Sequence, residues 1–150
     1  MQIWIDADAC PKPIKEILFR AAIRTHIPLI VVSNHMLTIP RTPHIKKIQL
    51  GAGLDVVDKH IVLHVQPGDL VITADIPFAD EVIAKGGLVL NPRGELLSAN
   101  NIKQRLGLRN MNDLMRGSGM ITGGPVPLHT RDIQKFAKQL DIWIAKSNPN

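Results

Sequence analysis

The stretch Ile3-Trp4-Ile5-Asp6-Ala7-Asp8 decides the fold, because a short apolar strand runs directly into two aspartates that are one residue apart. Carboxylates are rarely left unpaired inside a protein, and two of them at the end of a buried strand repel each other. A hard divalent cation relieves that repulsion, since Mg²⁺ and Mn²⁺ take oxygen ligands from carboxylates. The stretch therefore predicts a metal-assisted enzyme that acts on phosphates, with Mg²⁺ or Mn²⁺ as its cofactor.

Length and composition are those of an ordinary globular chain. The 150 residues are 45% hydrophobic and 21% charged, which suits one domain with its own core. We expect no signal peptide, because the sequence starts directly with a predicted strand. We also expect no membrane contact, because no apolar run approaches the ~20 residues that a spanning helix requires. The single cysteine, Cys10, excludes an internal disulfide and is typical of a reducing compartment, so we expect a cytoplasmic protein.

Apolar runs alternate with helically spaced segments along residues 1–98. Strands are expected at residues 2–5, 28–33, 47–50, 70–73 and 88–90. Between them, apolar residues recur at the three- and four-residue spacing of amphipathic helices. The sequence therefore predicts an α/β fold with a Rossmann-like, mainly parallel sheet of about five strands flanked by helices.

The C-terminal third is predicted to be helical and basic. Residues 91–150 hold nine Lys or Arg against four Asp or Glu, whereas residues 1–90 hold nine of each, so the whole net charge of +5 lies in the later part. We expect one domain over residues 1–150, with an α/β core at 1–98 and a basic helical extension at 99–150. Such a charge distribution suits a grip on a nucleic-acid backbone, and a solvated basic surface is the competing interpretation.

A third acid, Asp75, comes just after the fourth predicted strand, as Asp6 comes at the end of the first. Ligands of open α/β sheets bind outside the carboxyl ends of the strands, at the point where the strand order switches direction. If the first and fourth strands are neighbours, Asp6, Asp8 and Asp75 converge there as catalytic and metal-ligating residues. Asp75 also precedes a helix and can cap it instead. Asp80 lies five residues further on and can point either at the site or into water.

Other titratable residues have two interpretations each. Asp55 and Asp58, at the start of the middle helix, are further metal-ligand candidates, and helix capping or a dipole interaction is the alternative. His60 and His64 have a spacing compatible with zinc, although no cysteine cluster or HExxH pattern supports it. Cys10 is expected to be a small, semi-buried thiol.

Basic and glycine-rich segments supply candidates for phosphate binding. The arginines expected to hold flanking phosphates are Arg93, Arg105 and Arg109. The stretch from Arg116 to Pro125, which includes Thr122 and Gly123, can offer backbone N–H groups to a phosphate. It lacks the Gly-Lys-Ser/Thr ending of a Walker A sequence, and a plain connector is the competing interpretation.

Four motifs occur in order along the chain: Asp6-Ala7-Asp8-Ala9-Cys10-Pro11, Gly68-Asp69-Leu70-Val71-Ile72-Thr73-Ala74-Asp75-Ile76-Pro77, Asn91-Pro92-Arg93-Gly94-Glu95 and Thr122-Gly123-Gly124-Pro125. Together they resemble the YaiI/YqxD family of bacterial proteins over nearly the whole chain. That family is similar to the PIN-like group, whose better-known members are Mg²⁺- or Mn²⁺-dependent nucleases with clustered acids on a Rossmann-like sheet. The resemblance implies a metal-site role for Asp6, Asp8 and Asp75. It also implies that Asp55 and Asp58 fall near the position where proteins of the group often have a further acid.

Three functions are compatible with these residues. The first is a divalent-metal-dependent nuclease that hydrolyses phosphodiester bonds of RNA or single-stranded DNA. The second is a phosphatase of the haloacid dehalogenase type, which also places Asp-x-Asp after a first strand, although no lysine motif follows in the right context. The third is a non-catalytic nucleic-acid-binding protein with a vestigial acidic site.

Overall fold

Six strands form one sheet in the computed structural model, which describes residues 1–53, 55–108 and 127–147. The strands are β1 (Ile3–Asp6), β2 (Leu29–Ser33), β3 (Ile45–Gln49), β4 (Leu70–Ile72), β5 (Leu88–Leu90) and β6 (Leu96–Leu97). Their order across the sheet is β3-β2-β1-β4-β5-β6. The first five strands pair in parallel, and β6 is antiparallel to β5. The predicted α/β fold with a mainly parallel sheet is therefore confirmed.

Helices alternate with the strands as the apolar spacing predicts. They are α1 (Lys12–Thr25), α2 (Val56–His64), α3 (Ile76–Ala84), α4 (102–108) and α5 (Thr130–Ser147). Proline stands within the first two positions of both α1 and α3, where its missing N–H costs nothing. Within the described ranges, no helix is long and apolar enough to cross a membrane.

The sixth strand is the one element of the sheet that the sequence did not predict. It forms because Asn91 Oδ1 accepts hydrogen bonds from the backbone N–H groups of Arg93 and Glu95, which closes a tight turn after β5. Gly94 has a φ of 88°, and a Cβ there would lie 2.7 Å from the backbone of Lys135 in α5. Glycine is therefore required where this turn packs on the C-terminal helix.

Both faces of the sheet are buried under helices. Successive residues of β1 point to opposite faces, so Ile3 and Ile5 pack beneath α1 and α5, whereas Trp4 packs beneath α2 and α3. The residues of α5 that enter the first of these cores are Phe136, Leu140, Trp143 and Ile144. The C-terminal helix thus shares a hydrophobic core with the N-terminal strand.

The strand order places the switch point beside β1. From β1 the chain proceeds outward through β2 to β3, then returns along α2 to β4 on the other side of β1. Asp6 is the last residue of β1, and Asp75 comes three residues after the end of β4. The carboxyl ends of these two neighbouring strands therefore carry the acids that the sequence analysis singled out.

One buried acid lies at the opposite, amino-terminal edge of the sheet. Asp69 is 2% exposed and directly precedes β4. Its carboxylate accepts hydrogen bonds from the backbone N–H of Gln2 (3.0 Å), from Trp4 Nε1 (3.1 Å) and from the backbone N–H of Gln66 (2.9 Å). This carboxylate therefore joins the start of β1 to the turn that precedes β4.

We expect the substitution Asp69→Ala to lower the free energy of unfolding by about 3 kcal/mol, because it leaves buried N–H donors without an acceptor. Urea unfolding followed by circular dichroism measures this change. Asp141→Ala is the matched control, since Asp141 forms an exposed ion pair with Arg24. The control should cost less than about 1 kcal/mol. Equal losses in the two variants would contradict the role assigned to Asp69.

Candidate functional site

Asp6 begins the site at the carboxyl end of β1. Its Oδ1 accepts hydrogen bonds from the backbone N–H groups of Asp8 (3.0 Å) and Ala9 (3.3 Å), which fixes the carboxylate at the start of the loop before α1. Burial raises the pKa of Asp6 above its ordinary value, and the neighbouring charge of Asp8 acts in the same direction. The two backbone N–H groups act against this rise without cancelling it.

Asp75 is both a helix cap and a wall of the site. Its Oδ1 accepts a hydrogen bond from the backbone N–H of Phe78 (3.2 Å), so the capping role is confirmed. The same residue lines a small pocket of about 110 Å³ together with Asp6. It also lines a second pocket of about 170 Å³, whose other acidic residues are Asp55, Asp58 and Glu81. Asp75 therefore joins the acid of β1 to the acids of α2 and α3.

Asp58, in the first turn of α2, has the most perturbed carboxyl group of the site. Its pKa is raised to about 6, first by burial and then by the charges of other acids. In decreasing order of effect, these acids are Asp75, Asp6, Asp55 and Glu81. We call the five residues Asp6, Asp55, Asp58, Asp75 and Glu81 the acidic cleft. Their mutual repulsion is what a bound cation would relieve.

Asp55 lies on the wall of the cleft and does not cap α2. It immediately precedes the helix with a φ of 58°, in the left-handed region that aspartate tolerates better than most residues. Among the described residues, no backbone N–H of α2 donates a capping hydrogen bond to its side chain. The capping interpretation of Asp55 is therefore wrong.

Asp8 turns away from the cleft toward the end of β2. Its carboxylate accepts hydrogen bonds from the backbone N–H of Asn34 (2.7 Å), from Ser33 Oγ (3.1 Å) and from His35 Nδ1 (3.1 Å). Burial alone would raise the pKa of Asp8, but these hydrogen bonds together outweigh it and hold the pKa below its ordinary value. Ligation of one ion by Asp6, Asp8 and Asp75 stays a prediction. In the part of the chain that the structure describes, no three acidic, histidine or cysteine side chains are arranged to hold a metal ion.

Three residues near the site were missed in the sequence analysis. Glu81 and Lys59 line the larger pocket of the cleft, and His35 contacts Asp8. The helical spacing of Phe78 and Glu81 could have indicated Glu81, since residues three apart share one helix face. His35 comes two residues after the end of β2. Its position just past the carboxyl end of a strand, which identified Asp6 and Asp75, could therefore have indicated it as well.

The basic candidates that the structure describes are engaged with acids. Arg93 Nη1 donates to Asp132 Oδ2 (2.7 Å) and to the carbonyl oxygen of Pro127 (3.2 Å). Arg105 forms an ion pair with Glu95. The remaining phosphate-binding candidates, Arg109, Arg116, Thr122 and Gly123, lie outside the described residues. Their roles, like those of Arg93 and Arg105, stay predictions.

The residues with competing interpretations also have defined surroundings. Asp80 accepts a hydrogen bond from Lys103 Nζ (2.9 Å), so it belongs to an ion pair beside the cleft. His60 and His64 have ring centroids 4.3 Å apart on α2, and His64 Nδ1 donates to the carbonyl oxygen of His60. Cys10 is buried, and burial raises the pKa of its thiol to about 12. The expectation of a small thiol removed from solvent is therefore confirmed, and the raised pKa keeps the thiol protonated at neutral pH.

The fold and site define an α/β protein with an acidic cleft at the switch point of a Rossmann-ordered sheet. The chain belongs to the YaiI/YqxD family: the model of that family, described as "Uncharacterized BCR, YaiI/YqxD family", matches residues 4–146. The resemblance carried by the four sequence motifs is thus confirmed.

Curated relatives match along almost their whole length. A UPF0178 protein of Shewanella amazonensis is 56% identical over 146 residues, which cover 97% of this chain and 98% of the relative. UPF0178 proteins of Photobacterium profundum and Legionella pneumophila are each 56% identical over 147 residues, which cover 98% of this chain and 98% and 99% of the respective relatives. No solved structure matches the chain significantly.

The raised pKa of Asp58 makes the stability of the metal-free protein depend on pH. An acid whose pKa is raised on folding binds more protons in the folded state than in the unfolded state. The free energy of unfolding should therefore fall as the pH rises from the ordinary pKa of 3.8 to about 6. Asp58→Asn removes this contribution. It should stabilise the metal-free protein by about 1 kcal/mol at neutral pH, less than the full shift implies because water screens a half-buried charge.

Denaturant unfolding in the presence of EDTA, repeated between pH 4 and pH 7, measures this effect. Asp141→Asn is the matched control, because Asp141 is exposed and paired with Arg24 outside the cleft. The control should keep the pH dependence of the unmodified protein, whereas Asp58→Asn should flatten it. The same slope in Asp58→Asn and in the unmodified protein would argue against a repulsive acidic cleft.

Proposed function

We propose that this protein is a divalent-metal-dependent nuclease that hydrolyses phosphodiester bonds in RNA or single-stranded DNA. The observation that supports the proposal is the acidic cleft at the switch point, where burial and then the charges of four other acids raise the pKa of Asp58 to about 6. Like charges gathered at a ligand-binding position of the fold destabilise the metal-free protein. Acids that lower stability in this way are typical of sites that serve a function, such as binding a cation.

The donor set of the cleft fits Mg²⁺ or Mn²⁺. All five acidic side chains offer carboxylate oxygens, which are the ligands that these hard cations prefer. We assign ion binding to Asp58 and Asp75, which line the larger pocket, with water molecules as the further ligands that Mg²⁺ usually keeps. Asp6, Asp55 and Glu81 add negative charge around these two carboxylates. Asp6 and Asp75 are each oriented by backbone N–H groups through Oδ1. A bound cation would stabilise the negative charge on the phosphoryl oxygens during hydrolysis.

Basic side chains around the cleft can hold the substrate backbone. Lys59 lines the larger pocket, and Lys103 and Arg105 extend from α4 on the same side of the sheet as α3, where Lys103 reaches Asp80. Both α4 side chains are exposed by 44% or more, although each is ion-paired with an acid. Exposed ion pairs of this kind are weak, so a phosphate can displace the carboxylate.

A phosphatase of the haloacid dehalogenase type is the second candidate. Phosphatases of this type also use a lysine, and no lysine motif of theirs is present in the sequence. Lys59, which lines the larger pocket of the cleft, places a lysine near the acids without such a motif. The hydrogen bonds that hold Asp8 against Ser33 and His35 favour the nuclease, since they keep Asp8 from acting beside Asp6. Hydrolysis of a small aryl phosphate through a trapped aspartyl-phosphate would support the phosphatase instead. Salt-sensitive binding without turnover would support the non-catalytic alternative.

Cleavage of a fluorescently labelled single-stranded RNA tests the proposal directly. We expect cleavage with Mn²⁺ or Mg²⁺ and none with EDTA, and a rise in melting temperature with Mn²⁺ because the cation binds the native state. Asp58→Asn and Asp75→Asn should each lower the cleavage rate roughly 100-fold, since each removes a charge that helps to hold the cation. Asp141→Asn, outside the cleft, is the control and should cleave normally.

The melting temperature separates loss of binding from loss of folding. Asp58→Asn should be at least as stable as the unmodified protein without metal, yet should lose most of the Mn²⁺-dependent rise. An unmodified protein whose melting temperature does not change up to millimolar Mn²⁺, and which cleaves neither RNA nor single-stranded DNA, would refute the nuclease.

Nucleic-acid binding should depend on salt through the residues of α4. Each phosphate contact contributes a slope of about −0.7 in log K against log salt for single strands. Arg105→Ala should therefore flatten the slope by roughly 0.7 if Arg105 contacts a phosphate. Glu95→Gln, which removes the carboxylate paired with Arg105, should strengthen binding. Fluorescence anisotropy with labelled RNA measures the affinity and its salt dependence in both variants. An unchanged salt slope in Arg105→Ala would mean that Arg105 is a solvated surface residue that contacts no phosphate.

A further inference from the structure

A histidine held by an aspartate lies just after β2, at the carboxyl edge of the sheet. His35 Nδ1 is 3.1 Å from Asp8 Oδ1, and Ser33 Oγ donates to the same carboxylate oxygen at 3.1 Å. The backbone N–H of Asn34 donates to Asp8 Oδ2 at 2.7 Å. Ser33 Oγ also accepts a hydrogen bond from the backbone N–H of His35 at 2.9 Å. The carboxylate and the loop that carries the imidazole are thus held together by side chains and backbone.

This arrangement fixes which nitrogen of the imidazole is available. An ionised carboxylate can only accept hydrogen bonds, so Nδ1 of His35 carries the proton in the contact with Asp8. The other ring nitrogen, Nε2, lies on the far side of the ring, and the His35 side chain is 80% exposed. Carboxylates that orient a histidine in this way are a recurring device of sites that move protons.

The sheet brings this pair to the edge where the cleft lies. Asp6 is aligned with Val32 in the parallel pairing of β1 and β2, and His35 comes three residues after Val32. The backbone N–H of Asp8 donates to Asp6 Oδ1 at 3.0 Å, so the residue that holds His35 directly adjoins Asp6. A phosphodiester bound at Asp6 would therefore have His35 on the side of β2 and the α2 and α3 acids on the side of β4.

We propose that His35 is a further catalytic residue of the nuclease proposed above, and that Asp8 is its positioning residue. This inference rests on the proposed function. In the step, the oxygen of a water molecule forms a bond to phosphorus, and the bond from phosphorus to the leaving sugar oxygen breaks. The electron pair of the broken bond goes to that oxygen, which takes the proton from His35 Nε2. The proton lost by the attacking water goes to solvent, from which His35 is reprotonated before the next turnover.

The competing interpretation is an exposed ion pair that only decorates the loop. Exposed pairs contribute little to stability, and Ser33 and Asn34 hold Asp8 in place without His35. Under that interpretation, removing the imidazole should change the rate equally for every substrate, or not at all. A proton donor to the leaving oxygen has a different signature, because its effect depends on the leaving group.

Two substrates with different leaving groups expose this signature. An RNA oligonucleotide releases a sugar alkoxide, which needs a proton as it leaves, whereas the p-nitrophenyl ester of thymidine monophosphate releases a stable phenolate. With Mn²⁺ present, His35→Ala should lower kcat on RNA roughly 100-fold and leave kcat on the ester within about twofold of the unmodified protein. Asp8→Asn should show the same selectivity with a smaller loss. Added imidazole should restore part of the RNA cleavage by His35→Ala.

The control variant is His64→Ala, which removes an exposed histidine of α2 outside the cleft and should leave both rates unchanged. Equal losses on both substrates in His35→Ala, or unchanged RNA cleavage, would overturn the catalytic role of His35 while the nuclease stands. An unmodified protein that cleaves neither substrate with Mn²⁺ would overturn the nuclease and this inference together. Cleavage by the unmodified protein therefore distinguishes a failure of the nuclease proposal from a failure of the role of His35 alone.

Discussion

Parallel pairing of β1 with β2 on one side and with β4 on the other is the constraint on which the rest of the structure depends. It buries Ile3, Trp4 and Ile5 on both faces of the sheet, so this strand cannot carry a polar group before its last residue. It also brings the carboxyl ends of three strands to one edge. Asp6 ends β1, and Asp75 and His35 follow the ends of β4 and β2, so the three lie at the same edge of the sheet although they are distant in the sequence.

Two aspartates, Asp69 and Asp58, lie in opposite kinds of environment. Asp69 is nearly fully buried, yet backbone and indole N–H donors surround its carboxylate, and it joins the amino-terminal ends of β1 and β4. Asp58 is less buried, but burial and then the charges of the other acids that it faces raise its pKa to about 6. Hydrogen-bonded burial stabilises the native state, whereas unrelieved repulsion of this kind is typical of sites that bind a ligand. The contrast between these two residues separates an acid with a structural role from one that we propose to be functional.

Basic side chains of the C-terminal third form ion pairs in the folded protein. Within the described part of residues 91–150, these pairs are Arg93 with Asp132, Arg105 with Glu95 and Lys103 with Asp80. The first of these pairs ties the turn before β6 to the start of α5, which itself packs on the N-terminal core. The basic extension and the α/β core are therefore connected by charge as well as by apolar contact. A nucleic acid that binds along α4 would have to exchange these internal partners for phosphates.

The sequence by itself determined the strands and helices of the α/β core, the positions of Asp6 and Asp75 at strand ends, and membership of the YaiI/YqxD family. Apolar periodicity is a local property, and the end of a buried strand is visible wherever an acid interrupts an apolar run. The tertiary structure alone decided that Asp8 turns toward His35, that Glu81 and Lys59 face Asp58, and that two residues after a tight turn form β6. These outcomes depend on side-chain directions and on partners far away in the chain, such as Asp8 with residues 33–35. No local pattern carries that information, because a carboxylate takes the donors that folding brings to it.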